Sequence, residues 1–199
     1  MLVALIEALF EELDLRWKPI GGGRLRLKVI GSAALMLQTE YDRGTKDGDV
    51  LETEAITPEV KARLLAFAGK GTELHKRFRM YLDIVIGGLP FLPQRPIFHP
   101  VAKLDRLKHL SVEALDVVDV VVSKFKRFSL NDEADVRGMA ELGLLDHRAL
   151  VRRFKSAVDR FQLDARAAEL PRIIKNFNKA ERDYLGAVPT TIDLPDLPE

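Results

Sequence analysis

Between Lys28 and Thr53 the chain changes local preference three times, and this alternation constrains the fold more than any other feature. A β-branched-rich run ends at Lys28-Val29-Ile30 and meets a Gly-Ser turn at Gly31 and Ser32. Ala33 to Gln38 is mostly Ala, Leu and Met, and Asp47 to Thr53 again has strand character. The order is therefore strand, tight turn, short helix, strand. Residues i and i+2 of a strand point the same way, about 6.6 Å apart, so Asp47 and Asp49 share a face. Two acids at that spacing suit a divalent metal that also grips phosphates. A Gly-Ser turn opening a helix offers backbone N–H groups to those phosphates.

Each part also has a plainer reading. Ser32 is a residue type that caps helices. Asp47-Gly48 is a dipeptide that favours hairpin turns. Asp-x-Asp alone carries no information; with the Gly-Ser turn in front of it, the signal is moderately specific.

The arrangement resembles the nucleotidyltransferases of the DNA polymerase beta-like superfamily, whose signature is an apolar strand, Gly-Gly or Gly-Ser, a short helix, then Asp-x-Asp. The local form Asp42-Arg-Gly-Thr-Lys-Asp-Gly-Asp49 is most similar to a branch with Arg-x-Thr or Arg-x-Ser before the acids. That branch includes the nucleotidyltransferase toxins of type IV toxin–antitoxin and abortive-infection systems. Arg43 and Thr45 fill the Arg-x-Thr positions. Gly48 departs from the pattern, because the family places an apolar residue there, packed beneath the sheet. Glycine weakens a strand interior, so a looser metal grip is expected.

Two later stretches extend the resemblance in family order. Asp83 stands alone between Met80-Tyr-Leu and Ile84-Val-Ile in a β-rich run from Lys76 to Ile86. An unpaired carboxylate is costly to bury there. Asp83 therefore lies either on the exposed face of an edge strand or at the third acid position that the resemblance implies. Ser123 to Asp135 matches the branch's Lys, Arg and paired-acid pattern at Lys124, Arg127, Asp132 and Asp135, with Asn131 where a Lys is usual. Ser129-x-x-Asp132 also reads as a capping box, so both readings stand for these acids. Lys124 follows the apolar run Val117 to Val122, a buried origin for an ammonium that meets a triphosphate.

The resemblance implies metal-dependent nucleotidyl transfer. Asp47 and Asp49 would hold Mg²⁺ (or Mn²⁺), and Asp83 would complete the metal site and help deprotonate the acceptor hydroxyl. Gly31, Ser32, Arg43, Thr45, Lys124, Arg127 and Asp132 would bind the nucleoside triphosphate. The implied partners are transfer RNA as acceptor at its 3′ end and a cognate antitoxin protein. A rival reading is a degenerate fold that only binds a partner in an antitoxin-like role. Transfer to a protein or a small molecule is a further alternative.

Composition sets outer limits. The chain has 199 residues, 47% hydrophobic and 31% charged, with net charge +1. This is the balance of an ordinary globule with no global field for nucleic acid or membrane. There is no cysteine, so disulfide frameworks and thiolate zinc sites are excluded, in agreement with a cytoplasmic location. The apolar start is interrupted by Glu7, Glu11 and Glu12 and reads as an amphipathic helix rather than a leader. No segment has the length of apolar residues that a membrane span needs, so no membrane partner is expected.

The reading is α/β (α+β): a small mixed-sheet nucleotidyltransferase domain over 1–104, a helical domain over 105–188, and an extended or disordered tail over 189–199. Pro19 to Gly23 reads as a loop and Pro58 to Ala68 as a helix; residues 89–100 form a proline-rich loop with a short strand piece near Ile97. Helices are expected over 112–128, 130–145, 147–161 and 165–185. Arg148 to Arg182 holds ten basic residues against four acidic ones. That is either the solvated face of amphipathic helices or a patch for an RNA backbone through Arg152, Arg153, Lys155 and Arg160. Phe154, Phe161, Phe177 and Tyr184 recur with helical spacing and read as core. The four histidines have no ligand spacing.

Overall fold

The computed structural model describes residues 2–18 and 23–194. Most of the expected Pro19–Gly23 loop and the last residues of the expected tail, 195–199, lie outside the described residues. The chain forms two compact units, Met1–Leu89 with Phe98–Asp116 and Pro90–Ile97 with Val117–Glu199.

The first unit is built on a mixed five-stranded sheet. Its strands are β1 (Leu25–Val29), β2 (Asp47–Leu51), β3 (Tyr81–Val85), β4 (Phe98–Pro100) and β5 (Leu110–Leu115), in the order β3-β2-β1-β5-β4. β1 runs parallel to β5 and antiparallel to β2, and β2 runs parallel to β3. The helices of this unit are α1 (Leu2–Arg16), α2 (Gly31–Gln38), α3 (Pro58–Ala68) and α4 (Glu73–Phe78). α2 and α3 pack on the sheet, and α1 packs on both of them.

Strand alternation sorts the two faces. Leu27, Val29, Gly48, Val50, Leu82, Ile84, Leu110, Val112 and Ala114 are buried on one face. Each such Leu, Ile or Val contributes about 1.5–3 kcal/mol through burial. The register places Arg26, Lys28, Asp47, Asp49, Tyr81, Asp83, Ser111 and Glu113 on the other face, which is half-buried or exposed. The apolar face is the core, and the polar face is left for chemistry.

The second unit is helical: α5 (Val117–Lys124), α6 (Leu130–Glu141), α7 (His147–Phe161) and α8 (Leu170–Leu185). Phe91, Phe125, Phe154 and Phe177 are fully buried, and Phe154 stacks on Phe177 with centroids 4.1 Å apart. The reading of Phe154, Phe161 and Phe177 as core therefore holds. Tyr184 is half-buried and donates its hydroxyl to Glu133.

Three local readings are corrected. Lys76 to Phe78 belongs to α4 rather than to a strand: Thr72 accepts from the His75 N–H to start the helix, and Arg79, in the left-handed region at φ 55°, ends it. Residues 112–115, expected as helix, belong to β5, so α5 spans only Val117–Lys124. A boundary at 104 falls inside the first unit, because β5 pairs with β1 along its whole length. The carboxylate of Asp14 fixes this strand's start, accepting from the backbone N–H groups of Lys108, His109 and Leu110 at 2.8–2.9 Å.

Candidate active site

The acid face is made by register. β2 presents Asp47 and Asp49 on one side, and the parallel pairing sets Asp49 beside Asp83 and Asp47 beside Tyr81. Registered neighbours face the same way, so all three carboxylates and the phenol share one surface. β3 is an edge strand and Asp83 is exposed. The two readings of Asp83 are thus compatible: it lies on an edge strand and on the acid face. Burial, followed by the charges of Asp47, Asp83 and Asp49, raises the Tyr81 phenol above its ordinary range. Tyr81 therefore remains a neutral O–H donor beside the acids; its ring meets His75 edge-on at 5.1 Å.

Like charges repel, and each outer acid holds a local donor. Asp47 Oδ1 accepts from the Thr45 hydroxyl at 2.7 Å, and Asp83 Oδ1 accepts from the Ile84 N–H at 2.9 Å. Among the described residues, no group of three or more acids or histidines is drawn together as a metal cage.

The turn before α2 meets this face. The Ile30 N–H donates to the Asp49 carbonyl at 2.8 Å, which places Gly31 against the middle of β2. Gly31 has φ +66°, and a Cβ there would lie 3.0 Å from Asp49 Oδ2. Glycine is needed twice, for the left-handed backbone and for the close approach of the carboxylate. Ser32 is not the helix cap. The N-cap position is Ile30, without a side-chain cap, and Ser32 lies in the first turn, where its hydroxyl accepts from Arg43 at 2.9 Å. Arg43 and Thr45 thus bind opposite ends of the motif, Ser32 and Asp47. Gly48 leaves β2 intact: a Cβ at this position would lie 3.1 Å from Leu82 Cδ2, so Leu82 fills the space that the missing side chain leaves.

In the helical unit, Lys124, Arg127 and Asp132 are brought together with Asp135. The buried Lys124 ammonium lies 2.7 Å from Asp135 and 3.4 Å from Asp132. Arg127 makes a two-pronged contact with Asp132 at 2.8 and 3.0 Å. Ser129 and Asp132 form a complete capping box for α6, so the capping reading of Asp132 holds. Burial pushes Asp132 up, but bonds from Arg127 and Ser129 and the charge of Lys124 outweigh this and bring its pKa to about 2, from an ordinary 3.8.

A folded pKa below the unfolded one stabilises at pH values above the unfolded pKa, and the contribution disappears as pH falls through the folded pKa. Asp132 is therefore expected to contribute about 2 kcal/mol at neutral pH, lost between about pH 4 and pH 2. Urea midpoints across that window check this. Asp132→Asn should lower stability at neutral pH and flatten the acid dependence; an unchanged profile would remove the assignment.

Residue-by-residue reading missed several interior charges. Asp119 is fully buried in α5 and accepts from the Ile97 N–H and from the Arg153 guanidinium, which also donates to the Arg95 carbonyl. Arg153 is thus a half-buried residue whose guanidinium is paired with the buried Asp119. Glu181 is fully buried and bonds His147 Nε2 at 2.8 Å and the Thr190 hydroxyl at 2.6 Å, which ties the segment after α8 to the helices. A single acid inside an apolar run was the available signal for Asp119, the same one that marked Asp83.

A Gly-Ser turn and helix set against an Asp-x-Asp strand, with a third acid in register, is the arrangement that the resemblance to nucleotidyltransferases implies. The chain belongs to the family described as nucleotidyltransferase of unknown function (DUF6036), matched over residues 6–184. No match was found among curated proteins or among solved structures.

Proposed function

We propose that the chain transfers a nucleoside monophosphate from a nucleoside triphosphate to an acceptor hydroxyl, with Asp47, Asp49 and Asp83 as the catalytic acids. The carrying observation is the register of β2 and β3, which sets three carboxylates on one face beside the start of α2. The donor set is all oxygen, which suits Mg²⁺ or Mn²⁺ rather than a soft metal. Asp47, Asp49 and Asp83 would hold that cation, which would supply positive charge against the phosphates.

The chain's own groups account for the rest. The first backbone N–H groups of α2, with Ser32 held by Arg43, cradle the phosphates. Thr45 orients Asp47. Asp83 takes the proton as the acceptor oxygen bonds to the α-phosphorus, and the bond to pyrophosphate breaks. Lys124 and Arg127 are held within the helical unit by Asp135 and Asp132. The proposed acceptor is the 3′ end of a transfer RNA, in a toxin-like role with a cognate antitoxin.

The test is thermal. A nucleoside triphosphate with Mg²⁺ is expected to raise the melting temperature more than the nucleotide alone, because a ligand bound to the folded state stabilises it. Asp47→Asn combined with Asp49→Asn should remove the metal-dependent part. Equal shifts with and without Mg²⁺ in the wild type would favour the partner-binding alternative.

A further inference from the structure

The strand Leu25–Val29 has an incomplete neighbour. β5 pairs with all five of its residues, whereas β2 pairs only with Lys28 and Val29, and the chain turns away after Leu51. Beside the remaining edge lies a cleft of about 530 Å³, lined in part by Trp17, Arg24, Arg26, Lys28, Thr53 and Glu54. Three cations stand at every second position along the chain, opposed in the lining by Glu54.

Each cation is anchored by its surroundings. Arg24 Nε donates to the Leu110 carbonyl at 2.7 Å, Arg26 lies 3.2 Å from Glu113, and the Lys28 ammonium lies 4.6 Å from the centroid of the Phe98 ring. Such tethers hold long side chains in place, so less side-chain freedom is lost when an anion arrives. The cleft also leads to the acid face. Lys28 is in register with Leu51, two residues from Asp49 on the same side. Diagonal neighbours of this kind are about 7–8 Å apart.

We propose that this cleft is an acceptor track: a single-stranded nucleic-acid end lies along the strand, its phosphates on Arg24, Arg26 and Lys28 and its terminal hydroxyl toward Asp49. Naming the strand as the acceptor rests on the nucleotidyl-transfer reading. Guanidinium groups match phosphate oxygens in pairs, and cations repeated about 6.6 Å apart suit a charged backbone better than a single anion.

Fluorescence anisotropy of a short labelled single-stranded RNA with the full chain, across a range of salt and without triphosphate, tests this. Three phosphate contacts at about 0.7 each give a log–log slope near −2. Arg26→Gln with Lys28→Gln should flatten it to about −0.7, while Arg26→Lys with Lys28→Arg should retain most of it. The glutamine variant should keep the Mg²⁺-dependent melting shift with triphosphate. If that shift is present and the slope is the same in variant and wild type, the track is wrong and the transfer reading stands. If the slope flattens but the wild type has no Mg²⁺-dependent shift, the cations bind RNA and the transfer reading fails. Displacement of the RNA by polyglutamate but not by unlabelled poly(U) would overturn the nucleic-acid assignment.

Discussion

Asp49→Asn is expected to lower nucleotidyl transfer about a thousandfold while leaving the fold as stable as before. Asp49 is the central acid: Asp83 is its cross-strand neighbour, Asp47 is two residues away on the same face, and Gly31 approaches its carboxylate. An amide keeps the shape but cannot supply negative charge to a cation or respond to charge developing on the phosphates. Removing one of three like charges also relieves repulsion, so the urea midpoint should stay or rise slightly. The measurement is turnover of labelled triphosphate alongside a denaturation curve. Turnover within a fewfold of wild type, in a folded variant, would remove Asp49 from the chemistry. Asp83→Asn should also be inactive. Because Asp83 is exposed, its stability effect should stay within about 0.5 kcal/mol.

Lys124→Met is expected to destabilise the helical unit by about 3–5 kcal/mol. The ammonium lies against Asp135, which has no solvent exposure, and against Asp132. A methionine fills similar space but leaves a buried carboxylate without its cation. Adding Asp135→Asn should recover part of the loss, because the stranded charge is then gone. The urea midpoint of each variant measures this. A loss below about 1 kcal/mol for Lys124→Met would mean that the pair is solvated and does not hold the unit together. Arg127→Ala is the milder change in this cluster, since its side chain is 76% exposed. It should cost less stability than Lys124→Met.

These two variants separate two kinds of charge. On the acid face Asp83 is exposed and Asp47 and Asp49 are half-buried, within reach of solvent. Lys124, Asp135, Asp119, Arg153 and Glu181 face partners inside the helical unit, where a charge is tolerated only when paired. The basic excess between Arg148 and Arg182 is reduced in the same way. Arg153 turns inward to Asp119, Arg172 pairs with Glu169, and Lys179 pairs with Glu133. The cations beside the β1 edge are anchored too, Arg26 by Glu113, but they line a cleft.

What the sequence determined by itself was local. Strand alternation at Leu25–Val29, the Gly-Ser turn, the Ala- and Leu-rich α2, the Asp-x-Asp strand, and α3 with Pro58 at its first position are written in neighbouring residues. Backbone preference and spacing are sufficient to specify them. The common face of Asp47 and Asp49 follows from the same two-residue period. Only the tertiary structure decided which strands are neighbours. Leu110–Leu115 becomes a strand through pairing with β1 and through Asp14, a carboxylate far away in sequence that binds the backbone where the strand begins. Asp83 stands beside Asp49 only because β3 pairs in parallel with β2 in one register; a slip of one residue would turn Asp83 to the apolar face. The inward direction of Arg153 likewise depends on Asp119, which lies 34 residues earlier in the chain. Sequence periodicity reports which way a side chain points along its own element, but the partner it meets there is chosen by packing between elements.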